Sequence, residues 1–201
     1  MLAGSAAALL WVGIGSSDRV TTLGFWFEPV SYAATPIGEI TPPDVHRIER
    51  VARAEVVGAF ARFAVDVTGR RDARYNVMVV TSVRDPRFRS EVEVAGASHA
   101  VTGFGGTGTV NFRLLAGHAI GMRPADADRP AVLDAIGRGI GRAAVHEFVH
   151  QLLPSAPVHG ADRGSYEYGS ASRPEQYYGP MHWDIALPML ERRLSLRRPA
   201  N

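Results

Sequence analysis

Two stretches of the chain carry apolar residues at helical spacing. In TPPDVHRIERVARAEVVGAFARF, Val45, Ile48, Val51, Val56, Phe60 and Phe63 recur roughly every three to five residues, and Asp44 stands where a cap belongs. The second stretch, residues 126–153, places Val132, Leu133, Ile136, Ile140, Ala144 and Phe148 on a similar period, with Pro130 suited to its first turn. Gly137, Gly139 and Gly141 each cost that helix about 1 kcal/mol relative to Ala, which predicts the close approach of another element. Pro154 and Pro157 predict its end. Other runs read as strands. Residues 20–27 (VTTLGFWF) are rich in β-branched and aromatic types, and residues 75–81 (YNVMVVT) form a nearly continuous apolar run that suits a buried central strand. A turn at Arg84-Asp85-Pro86-Arg87 precedes a short strand at residues 91–94. The glycine-rich turn of residues 103–108 (GFGGTG) then leads into a strand at residues 109–115 (TVNFRLL). No Gly-Lys-Ser/Thr follows those glycines, so they are not a phosphate loop. Residues 184–196 (DIALPMLERRLSL) predict a final helix with Pro188 near its start. The order strand, helix, strand, strand, helix, tail predicts an α+β domain with a helix packed on a sheet.

Composition narrows the function. At 201 residues, 46% of them hydrophobic, the chain suits one globular domain, here residues 19–201. All 22 basic residues are arginine, the net charge is only +2, and the arginines are scattered, so nothing resembles a nucleic-acid-binding stripe. There is no cysteine, which excludes disulfides and thiolate metal sites; a metal would have to use His, Asp, Glu, Tyr or water. Residues 1–15 carry no charged side chain and are too short for a confident membrane span. They resemble the apolar core of an export signal without its basic leader. Two expectations for residues 1–18 therefore stand side by side. One is a signal or anchor, which would make the protein secreted or cell-envelope; the other is a first buried segment of the fold.

The chemistry concentrates at His146-Glu147-Phe148-Val149-His150, an H-E-x-x-H motif near the end of the second helix. Residues four apart on a helix differ by about 40° around its axis, so both imidazoles project from one face and can hold one zinc ion. Glu147 lies about 100° round, placed to act as general base toward a water on the zinc. With seven histidines and ten glutamates, chance gives on the order of 0.01 such motifs in the chain. Catalytic zinc usually takes a third protein ligand. Downstream candidates are His159, Asp162, Glu167, His182 and Asp184, with His159 favoured by donor type, and Asp162 and Glu167 as alternatives.

The motif resembles that of the metzincins, zinc peptidases with H-E-x-x-H-x-x-G-x-x-H and a downstream methionine turn. Leu153 stands where the family has glycine and Ala156 where it has the third histidine; His159 lies three residues further on. The segment Gln176-Tyr177-Tyr178-Gly179-Pro180-Met181-His182-Trp183 resembles the Y-Y-S-I-M-H-Y turn of the astacins. That resemblance implies Met181 beneath the metal and His182 as a turn residue rather than a ligand. His159-Gly160-Ala161-Asp162-Arg163-Gly164-Ser165-Tyr166 is similar to the stretch after the astacins' third histidine. Trp183 replaces the astacin tyrosine that assists the reaction, leaving Tyr166, Tyr168, Tyr177 and Tyr178 as candidate transition-state stabilisers. The resemblance implies a mixed sheet, a backing helix, an active-site helix and a loop-rich C-terminal part. It also implies a peptide or protein substrate extended along an edge strand, for which residues 109–115 are the expectation. Three functions follow: a zinc peptidase using Glu147 as base, a zinc-binding module without turnover, and an envelope interaction domain without metal. A hydrolase with Glu167 as third ligand, as in the gluzincins, is a variant of the first.

Overall fold

The computed structural model describes residues 20–32, 35–84, 93–101, 104–154, 156 and 158–197. It is a mixed α/β fold built on one five-stranded sheet. In chain order the elements are β1 (Thr21–Phe27), α1 (Pro42–Ala59), β2 (Val65–Thr68), β3 (Tyr75–Val80), β4 (Gly96–Val101), β5 (Gly105–Asn111), α2 (Phe112–Gly121), α3 (Arg129–Leu152), α4 (Glu175–Tyr178) and α5 (Leu187–Arg193). The strands lie in the order β2-β1-β3-β5-β4, parallel except that β4 runs antiparallel to β5. Among the described residues no helix is long and apolar enough to cross a membrane. Residues 1–18, with the signal, anchor or buried-segment expectation, lie outside the described residues, as do Asp85, Pro86, Arg87 and Pro157.

α1 and α3 lie side by side and parallel. Three ion pairs step along the seam: Asp44 with Arg129, Arg47 with Asp134, and Glu55 with Arg142. Glycine makes the approach possible. A Cβ at Gly137 would sit 2.8 Å from the Ile48 carbonyl oxygen, and one at Gly141 would sit 2.6 Å from that of Ala52. Gly139, on another face, leaves room for the Tyr177 ring. α3 is thereby sunk into the core, with Ile136, Ile140, Ala144 and Phe148 all at 0% exposure. Asp44 caps α1 from the third helical position rather than the first. Thr41 is the N-cap, and Asp44 Oδ2 accepts its backbone N–H at 2.8 Å. Phe60 and Phe63 fall beyond the end of α1 but stay in the core, Phe60 against Phe148 and Trp183.

Several expectations need correction. The strand expected at residues 109–115 ends at Asn111, whose side chain accepts from Leu114 N at 3.0 Å and starts α2; Phe112, Leu115 and Ala116 are buried helix residues. The glycines expected as a turn lie mostly inside β5, where Gly106 and Gly108 make space for the Gln151 side chain. β5 is interior to the sheet, and the outermost strand on that side is β4, a segment of small and polar residues that the pattern does not mark. Of residues 91–94 the first two lie outside the described residues, and Glu93 forms an isolated bridge with Arg84. β2 and α4, of four residues each, were too short to be read. The final helix is confined to Leu187–Arg193.

Candidate metal centre

α3 presents His146 and His150 from one face near its C-terminal end, and the chain beyond Leu153 turns back to bring His159 to them. Buried Val158 anchors the return. Gly160 N donates to the Glu167 carbonyl at 3.0 Å, and Gly160 bridges to Tyr168 as a parallel pair. The three imidazoles converge through their Nε2 atoms: His146 to His150 is 3.0 Å, and His150 to His159 is 3.1 Å. All three potential ligand atoms lie within 4.8 Å of one another. A tetrahedral zinc with bonds of about 2.0–2.1 Å separates its nitrogens by about 3.3 Å, so the spacing fits such an ion with small adjustment.

The electrostatics favour the form that binds metal. Burial, reinforced by the neighbouring His150, pushes the His146 imidazole down to about 4. Burial, with His159 beside it, pushes His150 down to about 4. Both rings are therefore neutral near pH 7. His146 Nδ1 lies 2.9 Å from the Tyr166 carbonyl oxygen, which can only accept, so the proton sits on Nδ1 and the Nε2 lone pair faces the cluster.

Glu147 is buried at 6% exposure beside this cluster. Burial pushes its carboxyl up to about 7. Its carboxylate lies against β4, where a Cβ at Gly96 would overlap Oε1. Ser98 Oγ donates to the Glu147 carbonyl at 3.0 Å and ties β4 to α3 at this point. One residue past His150, Gln151 grips β3 through its amide: Oε1 accepts from Asn76 N at 3.1 Å, and Nε2 donates to Asn76 O at 3.0 Å.

The other expected residues go elsewhere. Glu167 is fully buried, and its Oε1 accepts from the backbone N–H groups of Asp184 and Ala186 at 3.0 and 2.9 Å; it is not part of the histidine cluster. Asp162 accepts from Gly164 N at 2.7 Å and pairs with His182 Nε2 at 3.0 Å, and these two also stand outside the cluster. Asp184 is exposed, its backbone N–H held by Glu167. Met181 is partly buried, in a segment whose neighbour His182 bridges to Ser165. The Tyr166 hydroxyl donates to Glu55 Oε1 at 3.3 Å and that of Tyr178 to the Ala119 carbonyl at 2.7 Å, so neither is free to stabilise a transition state. Tyr177 is buried against Gly139, and Tyr168 lies beneath the Arg173 guanidinium at 4.7 Å. A cavity of about 370 Å³ lined by Val20, Arg70, Arg74, Tyr75, Leu152 and Arg193 includes none of the three histidines.

Sequence reasoning missed Gly96, Ser98, Gln151 and the Tyr166 carbonyl. Only Gln151 had a signal, as a polar residue following His150 on a face that the helix period assigns to the core. No known family model matches the chain, and no curated protein matches it in sequence.

Proposed function

We propose that the protein is a zinc-dependent peptidase of metzincin-like design, with His146, His150 and His159 as ligands and Glu147 as general base. The observation that carries this reading is the convergence of three imidazole nitrogens next to a buried glutamate that faces the outermost strand of the sheet. Zinc, when bound, acidifies a water and polarises the scissile carbonyl. The chain's own residues do the rest. β4, rather than residues 109–115, is the strand along which an extended peptide pairs, because it forms the sheet edge beside Glu147. Glu147 accepts a proton as the water oxygen bonds to the peptide carbon, and it delivers that proton to the amine as the C–N bond breaks. Ser98 ties β4 to the Glu147 backbone, and Gly96 leaves room for the Glu147 carboxylate against that strand.

A second reading, a zinc-binding module without turnover, is favoured by one observation: the hydroxyls of Tyr166 and Tyr178 are both committed away from the cluster. Glu147→Gln separates the two. For a peptidase it keeps about one zinc per chain and loses turnover by on the order of 10²-fold or more. Unchanged hydrolysis in that variant removes Glu147 from the mechanism. The ligand set is read by zinc titration, in which His159→Ala weakens binding far more than Asp162→Ala or Glu167→Ala; the reverse order reassigns the third ligand.

A further inference from the structure

His146 owes its orientation to one backbone oxygen, that of Tyr166, and the position of that oxygen is fixed from outside the metal centre. The Tyr166 N–H donates to the His182 carbonyl at 3.1 Å. Its ring packs on Trp183, with centroids 4.8 Å apart. Its hydroxyl donates to Glu55 Oε1 on α1, 111 residues earlier in the chain, at 3.3 Å. That carboxylate also accepts from Arg142 Nε at 3.0 Å; Arg142 lies one turn before His146 on α3 and reaches on to the carbonyls of Glu175 and Gly179 at 2.8 and 3.0 Å. Just before Tyr166, the Ser165 carbonyl accepts from buried Arg173 at 2.9 Å. A tyrosine whose polar tip is clamped and whose ring is packed cannot swing its carbonyl away from Nδ1.

We propose that Tyr166 and Glu55 are positioning residues for the metal centre: the Glu55–Tyr166 hydrogen bond holds the carbonyl that fixes the tautomer and ring plane of His146. The proposal rests on the metal-binding reading of the three histidines and assigns a role to a helix that contributes no ligand. Groups that orient a ligating histidine typically cost 10- to 100-fold in metal affinity when removed. A merely structural role for the Glu55–Arg142–Tyr166 cluster, that of fastening α1 to α3, makes a different prediction. It would be shared by Arg47 and Asp134, which form a two-point ion pair on the same seam at 2.7 and 2.8 Å.

The test is zinc affinity of the full chain by competition with a chromophoric chelator at pH 7, together with the visible spectrum of the cobalt-substituted protein. Variants are Tyr166→Phe, Glu55→Ala, Glu55→Gln, Arg47→Gln and His146→Ala. Tyr166→Phe and Glu55→Ala are expected to weaken zinc binding by about 10- to 100-fold and to shift the cobalt bands. Glu55→Gln keeps an acceptor oxygen and recovers most of the affinity, while Arg47→Gln lowers thermal stability and leaves affinity and spectrum unchanged. Affinities of Tyr166→Phe and Glu55→Ala within twofold of the parent, with His146→Ala devoid of metal, would overturn the positioning role and leave the metal centre standing. A loss in Arg47→Gln as large as in Tyr166→Phe would overturn it too, as general loosening of the seam. Undiminished zinc binding by His146→Ala would overturn the metal reading itself. If Tyr166→Phe does not fold, the Glu55 pair decides the matter alone.

Discussion

Gly96 leaves space that a single methyl group would take from the Glu147 carboxylate. A Cβ there would overlap Glu147 Oε1 and lie 3.0 and 3.1 Å from the carboxyl carbon and Cγ. Gly96→Ala must therefore rotate Glu147 away from β4 while leaving the imidazoles in place. Zinc stoichiometry should be unchanged and turnover should fall by about 10- to 100-fold, since a displacement of about 1 Å in a reacting group has that scale of effect. Parent-level kcat in Gly96→Ala would mean that Glu147 does not work from this position. Nothing in the sequence around Gly96 announces such a constraint, because it arises from a glycine backbone and a side chain 51 residues away that meet only in the folded structure. His146, Glu147 and His150 were legible for the opposite reason, since the helix alone sets their mutual directions.

At the scale of elements, the parallel packing of α1 and α3 brings like ends of two helix dipoles together, and the Asp44 carboxylate offsets the positive N-termini. The Arg129 guanidinium beside it, with further hydrogen bonds from Thr41, holds the Asp44 carboxyl well below the usual range. A carboxylate depressed in the folded state adds stability that is present above its unfolded value near 4 and is lost as pH falls through the folded value. Asp44→Asn should thus cost about 1–2 kcal/mol at neutral pH in urea unfolding, and the gap from the parent should close on acidification below about 4. A gap independent of pH would place the effect in packing instead. Gly141→Ala tests the seam itself. Helix propensity alone would gain about 1 kcal/mol, but the methyl meets the Ala52 carbonyl oxygen at 2.6 Å, so a net loss of about 1–2 kcal/mol is expected. A stabilised variant would show that the helices can part freely. Periodicity revealed both helices, and the apolar runs revealed β1 and β3. It failed at β4, whose GASHAV carries little apolar signal because one face must accommodate Glu147. It failed again at Phe112–Gly121, where an asparagine cap converts a strand-like run into a helix.

For the whole molecule, a metal that binds only the folded chain stabilises it by mass action, about 2.7 kcal/mol at a free concentration one hundred times Kd. Chelation should therefore lower the thermal midpoint by roughly 5–10 °C, and added zinc should restore it; a midpoint indifferent to both would count against a bound ion. The approach of His159 and its supports was the least legible part of the site, because His159 reaches the pair only through pairing with residues 167–168, and Tyr166 only through Glu55. The same arrangement has a consequence for the order in which the protein is made. The whole histidine cluster is translated by residue 159. The parts that hold it come later: Tyr166, the Glu167 carboxylate gripping residues 184 and 186, Trp183 donating to the Ala59 carbonyl, and the strip from Ser195 to Arg197 that hydrogen-bonds back to residues 62–65. A chain still being synthesised presents a pair of histidines without the frame that aims them. A histidine cluster assembled this way acquires its geometry only as these later segments dock, so the growing chain presents the three imidazoles well before it presents the finished arrangement.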